Sequence, residues 1–229
     1  MFTLQAAGSV IVLTGVISAY KAISHDVGGI PAAPLKGALT FSSEGSSDPD
    51  SRFFSRKAHL PSQTSGVTIG RGYDMKHRSP SSIRRELLAA GLDRSSAELL
   101  SRASGLSGER ASSFIRSHPL PILSADQERR LFEITYNQIE SDTRRLIKAH
   151  GLSGKYFDTE LHERIRSVLI DLRYRGDLTP TSKKILIRAV ANNDLSSFTA
   201  LLSERRNWPG VPIDRFNRRA DYLRSGAVR

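Results

Sequence analysis

The chain has 229 residues, enough for one good-sized domain or a domain with an extension. Its 38 % hydrophobic and 25 % charged residues exclude a disordered chain, and the absence of cysteine excludes a disulfide framework or a thiolate metal site. The formal net charge is +11, and residues 1–35 hold only Lys21 and Asp26 as formal charges, so the excess falls on residues 36–229. A domain this basic favours a polyanionic partner. Nucleic acid, teichoic acid, lipopolysaccharide and peptidoglycan carboxylates all qualify, and charge that serves solubility is the plain alternative.

Residues 6–20 form an apolar run. It is shorter than the roughly 20 residues a bilayer needs, and no Lys or Arg precedes it, so it reads poorly as an anchor or a secretory signal. Residues 26–35, punctuated by Gly and Pro, read as a linker. Residues 1–34 are therefore an apolar leader and linker, or the tail of an upstream module. From Leu35 to about Ser43 a short helix is expected, with Leu35, Leu39 and Phe41 inward and Gly45 as its stop. Residues 48–66 are turn-rich, and short strands fit near Phe53–Ala58 and Val67–Gly70.

After Asp74 the pattern is helical. Ser79 followed by Pro80 opens a helix that runs to about Ala90 and ends at Gly91. Ser95–Ser104 and Glu109–Arg116 are shorter candidates. Ser124 with Gln127 three residues on is a capping box that opens a long helix to about Ala149, closed by Gly151. Asp158 is expected to cap the next helix, whose Leu161, Ile165, Val168, Leu169 and Leu172 share one apolar face. Lys183–Ala191 and Leu195–Arg205 follow. The last helix, about Ile213–Arg224, is expected to turn Ile213, Phe216, Ala220 and Leu223 inward and Arg215, Arg218, Arg219 and Arg224 mostly outward. The two Gly-Leu-Ser-Gly stretches, 105–108 and 151–154, read as turns that end helices.

Chemistry concentrates in Ser43-Glu44-Gly45 and Gly66-Val67-Thr68-Ile69-Gly70-Arg71-Gly72-Tyr73-Asp74. A carboxyl, a hydroxyl and a second carboxyl are the inventory of a glycosidase that attacks with water. At the C-terminal end of a helix Glu44 meets a negative field, which raises the pKa of a carboxyl and suits a general acid. A solvated surface Glu beside a turn is the plainer reading. Fully extended, Thr68 and Asp74 lie roughly 20 Å apart at about 3.3 Å per residue. To act together they need a bend, which Gly70 and Gly72 permit. Val67 and Ile69 face a core. A hairpin strand with a glycine bulge, and Asp74 capping a turn, accounts for the same residues without chemistry.

These two segments resemble the catalytic region of pesticin and related phage-lysozyme-like muramidases of bacteriocins, phage lysins and secreted toxin effectors. Glu-Gly, Thr-Ile-Gly-x-Gly and Tyr-Asp occur in the family's order and at nearly its spacing. The resemblance covers about residues 35–225 and is specific only over 43–74. Fainter matches are Asp171–Gly176, where a Phe-Asn is expected in place of Arg173-Tyr174, and Trp208 with Phe216–Leu223. It implies an α+β, mostly helical, lysozyme-like fold over residues 35–229, with a small N-terminal β-hairpin lobe and a larger helical lobe flanking a groove. It also implies an inverting muramidase that cleaves the β-1,4 bond of peptidoglycan glycan strands. Glu44 is then the general acid, Asp74 the base or water-holding carboxylate, and Thr68 the hydroxyl that positions the water. Asp50 is a reserve for the role of Asp74. Gly70, Arg71 and Tyr73 of the motif, with Trp208, are assigned to substrate contact, although a Trp between helices is more often core.

No cofactor or metal is expected, because the six histidines are scattered and none pairs at a ligand spacing. No Gly-x-Ser-x-Gly supports a serine hydrolase. The muramidase reading places the protein outside the producing cell, secreted or delivered to the periplasm of a target bacterium. An immunity protein and a delivery machinery or upstream targeting domain are its expected partners, and nucleic acid is not. The alternative from another class is a basic, non-catalytic module that binds wall polymer or nucleic acid.

Overall fold

The computed structural model describes Pro34 and residues 36–226. The apolar run at 6–20, the 26–33 part of the linker and the inward Leu35 lie outside the described residues. Nine α-helices and a two-stranded antiparallel sheet make up the described chain. The fold class is therefore α+β and mostly helical. No described helix is long and apolar enough to cross a membrane.

Helix α1 (Ala38–Ser43) is only six residues long and starts at Gly37, whose φ of 77° is left-handed. Leu39 and Phe41 are buried as their pattern predicts, and Glu44 is the residue that ends the helix. Strand β1 (Thr68–Ile69) pairs with β2 (Tyr73–Asp74) in antiparallel register, Thr68 opposite Asp74 and Ile69 opposite Tyr73. The turn between them uses Gly70 and Gly72 at φ 63° and 84°, a region costly to residues with a Cβ. Val67 and Ile69 are fully buried, worth about 1.5–3 kcal/mol each.

The strand expected over Phe53–Ala58 does not form. Only isolated bridges join Ser46 to Phe54 and His59 to Thr68. Here Phe53 is exposed and Arg56 buried, so the segment lacks the alternation a half-buried strand needs.

Helix α2 (Pro80–Ala89) starts on the Ser79 cap with Pro80 at its first position. Helices α3 (Arg94–Ser101) and α4 (Gly108–Ser117) follow. Helix α5 (Ala125–Lys148) opens on the full capping box of Ser124 and Gln127. Asp158 does not cap a helix. It lies within a π-helical turn, Tyr156–Glu160, and α6 (Glu163–Arg175) begins instead on His162, whose Nδ1 accepts from the Arg164 amide. The apolar face of Ile165, Val168, Leu169 and Leu172 is buried as the spacing predicts. Helices α7 (Pro180–Ala191), α8 (Leu195–Ser203) and α9 (Ile213–Ser225) complete the chain.

Two cores result. One joins α1 to α6–α9 through Phe132, Tyr136 and Ile147 of α5. The other joins the hairpin to α2–α4 through Leu131 of the same helix. The smaller lobe is thus a hairpin with three helices, not a hairpin alone, and α5 belongs to both lobes. The last helix departs most from its pattern. Ile213 is 61 % exposed, whereas Arg215 and Arg219 are 6 % and 2 % exposed. Two arginines expected in solvent are buried, because carboxylates wait for them inside.

Candidate active site

Glu44 closes α1 at the junction of the two lobes. Its side chain is 17 % exposed, and its Oε1 accepts from Arg215 Nη1 at 2.5 Å. Its other oxygen faces the hairpin turn. A Cβ placed on Gly72 would stand 3.5 Å from Glu44 Oε2 and 2.9 Å from the Tyr174 ring. Gly72 is therefore required twice, for a left-handed φ and for room beside the Tyr174 ring. Burial raises the Glu44 pKa above the usual glutamate value, and the nearby Asp171 adds to the rise, against the pull of Arg215. The leading cause is burial, not the helix end to which the sequence pointed. A carboxyl biased toward its protonated form can give a proton near neutral pH.

A ladder of charges runs behind Glu44. Arg215 reaches Asp171 through Nη2 at 2.6 Å and Nε at 3.3 Å. Arg219 meets the same carboxylate at 2.6 Å and Asp177 at 2.8 Å. Arg218 donates to Ser43 Oγ at 3.1 Å. Burial opposes ionisation of Asp171, but Arg219 and Arg215 outweigh it and hold its carboxyl below the usual range. Residues 215, 218 and 219 share one helix face at the i, i+3, i+4 spacing, the same arithmetic that places apolar residues inward.

Thr68 and Asp74 are cross-strand partners, so the hairpin brings them together, with Cβ atoms of such pairs about 4.5–5.5 Å apart. Thr68 Oγ1 donates to the Gly66 carbonyl at 3.1 Å, which spends its proton and leaves its oxygen able to accept. Asp74 accepts from the Gly66 amide at 3.1 Å and from the Lys76 amide at 2.7 Å. The carboxylate is thus fixed in direction by the loop it closes. Asp48 and the reserve candidate Asp50 sit exposed on a turn in which the Asp50 amide donates to Asp48.

The chain belongs to the family described as Domain of unknown function (DUF8812). The family model matches residues 37–220, which takes in Glu44, Thr68, Asp74, Asp171 and Arg215. No curated protein matches the chain.

The four residues expected to touch substrate have internal duties instead. Arg71 is 4 % exposed. Its Nη1 donates to the Phe41 and Gly45 carbonyls at 2.6 and 2.8 Å, and its Nη2 to Ser47 Oγ at 2.7 Å. Its guanidinium lies over the Phe41 ring at 3.9 Å and its Nε stands 3.6 Å from buried Glu128. Burial lowers its pKa and Glu128 opposes the fall. Arg71 is a clamp between the hairpin turn and the end of α1, on either side of Glu44. Tyr73 is buried and donates to Glu86 at 2.7 Å. Gly70 is buried against Leu123 and Leu131. Trp208 is buried in the helical core and donates from Nε1 to the Leu201 carbonyl at 3.0 Å. In each case the polar atom or the packing faces inward.

Three residues of the site escaped the sequence reading. Arg215 was hidden by its charge. Tyr174 donates to the Arg71 carbonyl at 2.6 Å and lies beside Gly72, a contact across 103 residues with no local signal. Phe53 is 61 % exposed on the loop whose backbone pairs with Ser46, two residues after Glu44. An isolated aromatic in a turn-rich stretch is the one signal that marks it. Among the described residues no group of three or more His, Asp or Glu is placed to hold a metal.

Proposed function

We propose that this domain is an inverting glycoside hydrolase of the bacterial cell wall, a muramidase with a lysozyme-like arrangement of two lobes. The observation that carries the reading is a buried carboxyl with a raised pKa, Glu44, set against the turn of a hairpin whose strands pair Thr68 with Asp74. Glu44 gives its proton to the glycosidic oxygen as the bond to the anomeric carbon breaks. Arg215 then stabilises the carboxylate left behind. A water held by Thr68 and Asp74 attacks the anomeric carbon from the opposite face and passes its proton to Asp74. Solvent restores both groups to their starting state. Asp74 suits this task because two amides fix its direction, and Thr68 because its oxygen still accepts.

Under this reading the protein works in the periplasm of a target bacterium as a toxin, effector or lysin. A delivery machinery or an upstream domain brings it there, and an immunity protein guards the producer. Clearing of purified peptidoglycan suspensions tests the reading. Glu44→Gln is expected to lose about 10²–10⁴-fold in rate while its circular dichroism stays native and it melts no lower than the wild type. Thr68→Val and Asp74→Asn are expected to lose activity without loss of fold. Clearing by folded Glu44→Gln at the wild-type rate would end the proposal.

A further inference from the structure

The mechanism above gives Asp171 no task. This carboxylate lies in the apolar stretch of α6, among Leu169, Ile170 and Leu172, and is fully buried. Arg219, 2 % exposed, is buried beside it. Ions are costly to take out of water, and apolar side chains of like size would fill the same space without that cost. Packing alone therefore gives no reason for the pair.

Its place in the charge ladder does. Arg215 is divided between two carboxylates. Its Nη1 meets Glu44 Oε1 at 2.5 Å, while its Nη2 and Nε meet the two oxygens of Asp171 at 2.6 and 3.3 Å. The fork of the guanidinium thus faces Asp171, which fixes its plane whether or not Glu44 is charged. Arg219 closes on Asp171 from another side through Nε at 2.6 Å and reaches Asp177 through Nη1 at 2.8 Å. Burial opposes the charge of Asp171, but Arg219 and Arg215 together keep it ionised.

The other polar groups around Glu44 are committed elsewhere. From α6, Arg175 is held by Asp177 at 2.5 Å. The Tyr174 hydroxyl donates to the Arg71 carbonyl, and burial keeps it neutral. From the hairpin turn, Arg71 is spent on the Phe41 and Gly45 carbonyls and on Ser47. From α9, Arg218 stops at Ser43 Oγ, at 3.1 Å. Among the described residues, Arg215 is thus the cation that meets the Glu44 carboxyl, and Asp171 is the anion that shares it. A guanidinium with no second anion would hold Glu44 ionised and spoil it as an acid.

We infer that Asp171 is a positioning residue for the reaction: it takes up charge of Arg215, so that Glu44 keeps its proton until the glycosidic oxygen receives it, and it holds the guanidinium in place for the carboxylate that remains. The inference rests on the reading of the preceding subsection. Burial is the first cause of the raised Glu44 pKa, and Asp171 adds to the rise against the pull of Arg215.

Carbon-13 nuclear magnetic resonance of the glutamate carboxyls reads the Glu44 titration in the full chain without substrate, its signal being the one that Glu44→Gln removes. Asp171→Asn keeps the shape of the side chain and removes its charge. Its Glu44 is expected to titrate at lower pH than in the wild type. Clearing of peptidoglycan at pH 7 is expected to fall about tenfold, with the loss shrinking as pH falls. Arg219→Gln is the second variant, should the first not fold. It leaves Asp171 to Arg215 alone, and Glu44 is expected to titrate at higher pH. A Glu44 titration that stays in place or moves the other way in either folded variant overturns the inference, as does a loss of rate that is equal at every pH. A wild-type Glu44 that titrates at or below the ordinary glutamate value of 4.5 overturns it as well. Titration shifts of the expected sign in a protein that clears no wall would support the role of Asp171 toward the Glu44 proton and count against the hydrolase. Clearing with an unmoved titration would do the reverse.

Discussion

Glu44 sits between two opposed influences, a dry setting that favours its proton and Arg215 that favours its charge. Burial is the larger. A carboxyl whose folded pKa is raised has its full stabilising effect below the unfolded value and loses it as pH rises through the folded value. At neutral pH the wild type has therefore lost part of that effect, which Glu44→Gln, neutral at every pH, keeps. The variant is expected to melt above the wild type at pH 7, with the gap closing as pH falls to the ordinary glutamate value of 4.5. Calorimetry across that range checks it, and a variant that melts lower at pH 7 would contradict the sign. Arg215 restrains the same pKa. Arg215→Lys, which loses the fork geometry, is expected to move the alkaline limb of the rate profile to higher pH. Phe53, exposed beside the site, is expected to matter in binding, with Phe53→Ala raising KM several-fold at nearly constant kcat. The sequence offered Glu44, Thr68 and Asp74 as candidates but not Arg215, because its partners Glu44 and Asp171 lie 171 and 44 residues away.

At the scale of elements, the hairpin turn is the part that positions the proposed site. The sequence pointed to a bend at Gly70 and Gly72, and the register of Thr68 against Asp74 is its outcome. Gly72→Ala would place a methyl 2.9 Å from the Tyr174 ring at a φ of 84°. It is expected to cost about 1–2 kcal/mol from the backbone alone and to lower kcat by shifting the hairpin turn against Tyr174, as denaturation and steady-state kinetics would read. Helix starts were legible where a side chain meets its own first turn, as at Ser79 and Ser124. They were not legible where a tertiary contact decides. Asp158 has the chemistry of a cap, but its carboxylate is taken by Arg144, and the chain passes through a π turn before α6 begins. Phe53–Ala58 has the composition of a strand and none of its pairing, since the loop instead wraps Arg56 inward.

Across the whole molecule, the buried ladder from Glu44 through Arg215, Asp171 and Arg219 to Asp177 ties α1, α6 and α9 together. Removing Asp171 strands the buried Arg215 and Arg219 together. Asp171→Ala is expected to cost about 3–5 kcal/mol, measured by chemical denaturation. Because the Asp171 pKa is lowered in the fold, its contribution is present above the unfolded value of 3.8 and is lost as pH falls through the folded one. The two-lobed plan was partly legible, as a hairpin followed by helices. That α5 would serve both cores was not, because a 24-residue amphipathic helix reads the same whether one lobe or two pack against it. The net charge of +11 remains a statement about partners rather than fold.

Mass spectrometry of the fragments released from purified peptidoglycan, wild type beside Glu44→Gln, tests the central claim most directly. Reducing disaccharide-peptides from the wild type and none from the variant are the predicted result. Anhydro-sugar ends would contradict water as the nucleophile, and an absence of fragments from a competent wall would contradict hydrolysis itself.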